Sequence, residues 1–201
     1  MQASPLRPAG GYPRAIRNPR IVQFTARRLH RAVTMANDLF HSLMREALAV
    51  AREGLEAGEA PIGCVIARGD GTVVARAHNE LNRTRNKIAH AEIMAFMRAA
   101  GRVPTDARDL ILVSTLEPCV MCLGAAMEAA VATVVFGLRA PADSGTGRVA
   151  PPQSPESQAP RIVGDVLAAE SRALFEEFIA AGPSPQQAAF VRQLLSLVRD
   201  V

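Results

Sequence analysis

Cysteine is scarce in this chain of 201 residues: there are three, Cys64, Cys119 and Cys122. So small and odd a number excludes a disulfide-held scaffold and fits a reducing compartment, which leaves metal or redox chemistry as their use. Long apolar runs are missing as well. No uncharged stretch reaches the ~18 to 20 residues a membrane span needs, and nothing near the start resembles the core of a secretory signal. A cytoplasmic protein with no membrane partner is therefore expected. With 49% apolar and 21% charged residues, the composition is that of one well-buried globular domain.

Acidic residues are absent from the first 37 positions, which carry seven arginines. The whole chain has 23 Lys and Arg against 19 Asp and Glu, so residues 38–201 hold 16 basic against 19 acidic residues, a net of −3. The basic character belongs to the leader, and the remainder is mildly acidic. Residues 1–34 are rich in Pro, Gly and Arg without periodicity and are expected to be disordered. An arm that attracts RNA, an organelle presequence and translated sequence ahead of a start at Met35 all fit that composition. Ordered-looking sequence begins just after Met35, which places the domain at residues 35–181 and a further C-terminal helix at 182–201.

Within the domain, Phe40, Leu43, Met44, Ala47, Val50 and Ala51 repeat at three and four, predicting an amphipathic helix from Asn37 to about Gly54–Gly58. "PIGCVIA" (61–67) and "TVVARA" (72–77) flank a short "RGDG" turn and predict a hairpin. A helix over "AHAEIMAFMRAAG" (89–101) precedes the strand "LILVST" (110–115). Pro118 opens a helix over "CVMCLGAAMEAA", followed by the strand "TVVFGL" (133–138). Residues 139–161 form a long Pro/Gly/Ser-rich loop. A strand at "RIVGDV" (161–166) and two more helices complete the chain. Helices alternating with apolar strands imply a three-layer α/β/α sandwich around a mixed, roughly five-stranded sheet.

Cys119 and Cys122, three apart at a helix start, can share one metal ion, and the helix N-terminus favours the thiolate form that binds it. A lone CxxC in that position is also a redox motif. "HAE", His90 to Glu92, favours the metal: in a first helical turn both side chains can reach an ion lying off the helix end. His90 then completes a three-ligand zinc site, the pattern that leaves a fourth position for water, with Glu92 as a proton carrier beside it. Cys64, in mid-strand, reads as a buried small apolar residue.

"HAE", a 25-residue interval and "PCVMC" together resemble the H-x-E…P-C-x-x-C signature of the zinc-dependent nucleobase and nucleoside deaminases. "APIGCVI", Asn79, "AHAEIMA", "TLEPCVMCLGA" and "VVFGL" follow in that family's order, across roughly residues 37–180. The resemblance implies one zinc per chain on His90, Cys119 and Cys122, with zinc-bound hydroxide attacking a ring carbon and Glu92 shuttling protons. It also implies that Asn79 holds the base and that backbone at Pro61, Ile62 and Gly63 and at Ala89 and Ala91 lines the pocket. "TLEPCVMC" and "AHAEIMA" look most like the tRNA adenosine deaminases, which usually work as homodimers, and the resemblance implies a homodimer here. This chain departs from them at Asn86–Ala89, where they carry Asp-Pro-Thr-Ala, and after Phe178, where no basic residue occurs until Arg192. Free guanine, cytosine or a nucleoside is therefore the alternative substrate, and a zinc-stabilised binding module without turnover is the non-enzymatic rival.

Overall fold

The repeat that predicts the first helix also marks its buried face: Phe40, Leu43, Met44, Ala47, Val50 and Ala51 are at most 5% exposed. A computed structural model describes residues 19–198. It divides the chain into two units, Met1–Ala36 and Asn37–Val201. Helix α1 runs over Pro19–Glu56, so residues 19–34, expected to be disordered, are helical instead. The physical reason is local: after Pro19 at the first helical position, residues 20–36 contain neither Pro nor Gly and are rich in Ala and Arg. Residues 1–18 of the predicted leader lie outside the described residues.

Strands β1 (Gly63–Ala67) and β2 (Val73–His78) form the expected antiparallel hairpin, and a four-residue helix α2 (Leu81–Thr84) follows. Helix α3 (Ala91–Ala99), strand β3 (Ile111–Leu116), helix α4 (Val120–Glu128) and strand β4 (Thr133–Leu138) alternate as predicted. Strand β5 is confined to Arg161–Val163, and helices α5 (Ala168–Ala180) and α6 (Pro185–Leu197) complete the described chain. The five strands lie in the order β2-β1-β3-β4-β5. β1 pairs antiparallel with β2 and β3, whereas β3–β4 and β4–β5 are parallel. This is the mixed five-stranded sheet with helices on both sides that the sequence implies.

Side-chain alternation explains the two covered faces. Ala75, Ile66, Leu112 and Val134 are aligned across four strands and join Ala91, Ala95 and Ala99 of α3 and Leu123 and Met127 of α4 in one core. Toward the other face α1 comes close at Gly63, where a Cβ would stand 2.1 Å from the Ala47 carbonyl oxygen and 2.6 Å from the Ala51 nitrogen. Only a residue without a side chain permits that approach. At the carboxyl end of β3, Leu116 and Leu138 pack with Phe175 and Phe178 of α5 and with Val191, Leu194 and Val198 from α6 and its end. The C-terminal helix is thus part of the domain core and not an appendage to it.

Much of the loop 139–161 is tied down beneath this end of the sheet. Glu117, just past β3, accepts hydrogen bonds from the Ala140 N–H at 2.9 Å and from Ser144 Oγ at 2.6 Å. Gly145 N–H donates to the Pro118 carbonyl at 2.8 Å. Arg148 donates to the carbonyls of Ala142 and Pro141 within the same turn. No helix among the described residues is long and apolar enough to cross a membrane.

Candidate active site

Two helix N-termini meet at the carboxyl end of β3, and the His and Cys residues sit on them. His90 is the N-cap of α3 and Cys119 the N-cap of α4, both with extended backbone. Cys122 returns from the first turn of α4. His90 Nδ1 lies 3.6 Å from each of the two sulfurs, and the three ligand atoms fall within 4.8 Å of one another, the one such group among the described residues. Ligands about 2.0 to 2.3 Å from one tetrahedral ion stand about 3.6 Å apart, so the donor set has zinc-site spacing. Cys64 is fully buried in β1 and takes no part in the group.

Hydrogen bonding within the cluster sets its charge. The hydrogen bond from Cys122, helped by His90, holds the Cys119 thiol down at about 3 despite partial burial. The same bond to Cys119, with burial, pushes Cys122 up, and Cys119 raises His90. Of the two thiols, Cys119 therefore gives up its proton the more readily and Cys122 the less. A divalent metal ion would displace those protons and take both sulfurs as thiolates, and the two helix N-termini favour that negative charge.

Glu92 is in the first turn of α3 and only 3% exposed. Burial is the main reason its carboxyl sits above the usual carboxylate range. Ser114 Oγ on β3 donates to its Oε1 at 3.2 Å, and Cys122 Sγ lies 3.4 Å from its Oε2. Asn79, one residue past β2 and 4% exposed, accepts the Ala91 N–H at Oδ1, 3.0 Å away. Because an N–H requires an acceptor there, the amide orientation is determined and Nδ2 is the donor left for a bound molecule.

These groups open into a cavity of about 420 Å³, within the ordinary range for small-molecule sites. Its wall includes Ile62, Asn79, His90, Glu92 and Cys119. A larger hollow of about 560 Å³, lined by Phe96, Val103 and Pro104 among others, lies away from the cluster and contains none of its ligands.

A profile of the cytidine and deoxycytidylate deaminase zinc-binding region matches residues 38–138. The chain belongs to this family. A tRNA-specific adenosine deaminase of Streptococcus pyogenes is 42% identical over 95 residues, covering 47% of this chain and 59% of the relative. A tRNA(Ile)-lysidine synthase of Deinococcus radiodurans is 37% identical over 142 residues, which is 70% of this chain but 24% of the relative. The chain thus spans from about a quarter to about three fifths of these curated relatives. A solved structure from studies of A-to-I editing by tRNA:A34 deaminases matches with TM-score 0.58 and 30% identity, covering 66% of this chain and 98% of the other.

Of the residues the deaminase resemblance singles out, the structure brings His90, Cys119, Cys122, Glu92, Asn79 and Ile62 to one place. Pro61, Gly63, Ala89 and Ala91 are buried and are not among the residues that line the cavity. Their backbone groups are already engaged. Thr115 Oγ1 bridges the Pro61 carbonyl and the Gly63 N–H, Ala91 N–H is bound by Asn79, and the Ala89 carbonyl accepts from Glu80. His78 directs Nδ1 to the Asn79 carbonyl, 2.6 Å away, and does not line the cavity. Residues missed from sequence are Ser114, Glu117, Glu59 and the α6 side chains Gln187 and Phe190.

Proposed function

We propose that the chain is a zinc-dependent hydrolase that replaces the exocyclic amine of a nucleobase or nucleoside by oxygen, releasing ammonia. The observation that carries this reading is Glu92: a buried carboxyl with raised proton affinity, beside three metal-type ligands and open to a base-sized cavity. A zinc-stabilised module without turnover has no use for such a group.

His90, Cys119 and Cys122 would hold zinc, which when bound supplies the Lewis acidity that makes water a nucleophile near neutral pH. Ser114 pins Oε1 of Glu92, so Oε2 is the oxygen that exchanges protons. It accepts one from the attacking water and returns it to the departing amine, whose bond to the ring carbon breaks as ammonia leaves. Asn79 Nδ2 donates to a ring acceptor and fixes which carbon faces Glu92. Ile62 and Leu116 give the cavity an apolar side that limits stray water.

Likeness to the tRNA-specific adenosine deaminases supports an adenosine within tRNA as substrate and a homodimer as the working form. The reducing-compartment reading of the cysteines supports a cytoplasmic location. Ammonia release by the zinc-loaded chain from adenine, guanine, cytosine, their nucleosides and transcribed tRNA tests the proposal. Glu92→Gln is expected to lower turnover about 100-fold or more with zinc retained. No ammonia from any of these substrates, or undiminished turnover in the variant, contradicts the assignment.

A further inference from the structure

Asn79 and Glu80, side by side past the end of β2, are both buried, at 4% and 1% exposed. Asn79 lines the cavity, whereas Glu80 does not. Together they make three attachments along α3. The Glu80 N–H donates to the Ala89 carbonyl at 3.0 Å, just ahead of the helix. Asn79 Oδ1 takes the Ala91 N–H in the first turn. The Glu80 carboxylate is paired with Arg98 in the last turn and, on its other side, with Arg83 of α2. Both arginines are themselves tethered. Arg98 donates to the Arg76 carbonyl of β2 at 2.8 Å, and Glu59 accepts the Arg83 N–H at 2.8 Å.

The attachments at Ala91 and Arg98 stand two turns apart, about 10 Å along a helix axis. Contacts so far apart fix both the axial position and the rotation of a rigid helix, so α3 can neither slide nor turn against Asn79 without breaking one of them. α3 carries Glu92, and Asn79 Nδ2 is the donor left for a bound base. Stability alone gives no reason for a charge at Glu80: taking a carboxylate out of water is costly, and buried ion pairs replaced by well-packed apolar side chains often leave a protein as stable or more so. Direction is what an apolar contact lacks. A carboxylate gripped by two guanidinium groups holds its neighbours in one arrangement.

We infer that Glu80 is a positioning residue for the reaction: through Arg98 it keeps α3 in register with Asn79 and so sets the separation between the base-holding amide and the proton carrier Glu92. This deepens the deaminase reading above and rests on it for the catalytic consequence, while the register itself is measurable without turnover.

The test uses the full zinc-loaded chain with Glu80→Gln, which keeps the shape and removes the charge. Arg98→Ala, at a side chain 41% exposed, is the second variant should Glu80→Gln fail to fold. Amide hydrogen exchange reads the register. The Ala91 N–H is expected to exchange about ten-fold or more faster in either variant, while the amides of β3 and β4 keep their protection. With the panel of bases, nucleosides and transcribed tRNA already named, kcat is expected to fall about ten-fold or more with one zinc retained. The same change made in Asn79→Ala protein is expected to cost less than about two-fold further, because Asn79 is the group through which Glu80 acts. Unchanged exchange at Ala91, or faster exchange spread evenly over Ala91, β3 and β4, overturns the proposal, since the second marks a loss of stability alone. Fully additive losses in the double variant overturn it too. A local effect at Ala91 with no ammonia from the parent chain on any substrate supports the register and rejects the deaminase reading. Undiminished kcat in variants whose Ala91 exchange has risen keeps the deaminase and overturns the positioning role.

Discussion

The floor of the cavity and its rim are built differently. On the floor His90, Glu92, Cys119 and Cys122 come from two adjoining helix starts, each within four residues of the next along its own segment. The rim is assembled from the 139–149 turn and from α6, which reach the site through Glu117 and through the packing of Val191 and Leu194. A floor made from short motifs fixes the chemistry. A rim made by tertiary packing can change what enters without altering that chemistry, which is how one family can act on different amines.

The sharpest way to break this division is at a ligand. Cys119→Ala is expected to abolish stoichiometric zinc binding and lower the melting temperature by about 5 °C or more, because metal binding is coupled to folding. Metal analysis and thermal denaturation read both effects, and a variant that keeps one equivalent of zinc would remove Cys119 from the ligand set. Asn79 stands between floor and rim and separates two roles. Asn79→Asp keeps the acceptor for Ala91 N–H but removes the Nδ2 donor, so it should raise KM about ten-fold with stability nearly unchanged. Asn79→Ala should in addition cost about 1 to 3 kcal/mol, through the orphaned N–H. Equal melting temperatures for the two variants in chemical and thermal unfolding would refute that split. At the rim, Glu117→Gln should leave zinc content intact but place an amide against donors from Ala140, Ser144 and Thr146. A loss of about 1 to 3 kcal/mol and faster proteolysis within residues 139–149 are expected. Loss of zinc from that variant would show that floor and rim are not separable.

The same contrast explains what could be read without coordinates. The strands "TVVFGL" and "LILVST", the buried face of α1 and the grouping of His90, Cys119 and Cys122 depend on periodicity and short spacing, and they are where those patterns put them. α3 starts at Ala91 and not at Ala89 because His90 takes the extended N-cap conformation, φ −68° and ψ 152°, that aims its ring at the cysteines. β5 stops at Val163, short of the predicted Val166, because Asp165 and Leu167 adopt left-handed backbone with φ of 65° and 51°, which ends an extended strand. Phe190 could not be read as a site residue, since its place depends on α6 docking against α5, about 100 residues from His90 in sequence, and apolar docking carries no local signature. Which backbone groups at Pro61, Gly63, Ala89 and Ala91 remain free is illegible for a related reason: it depends on the Thr115 and Asn79 side chains, which arrive from elsewhere in the chain.

X-ray absorption at the zinc K-edge of the purified full chain addresses the central assignment most directly. The account predicts one zinc per chain bound by two sulfurs, one imidazole nitrogen and one further light atom, with the pattern unchanged in Cys64→Ala. A third sulfur, a signal lost in Cys64→Ala, or protein that takes up no zinc would contradict it.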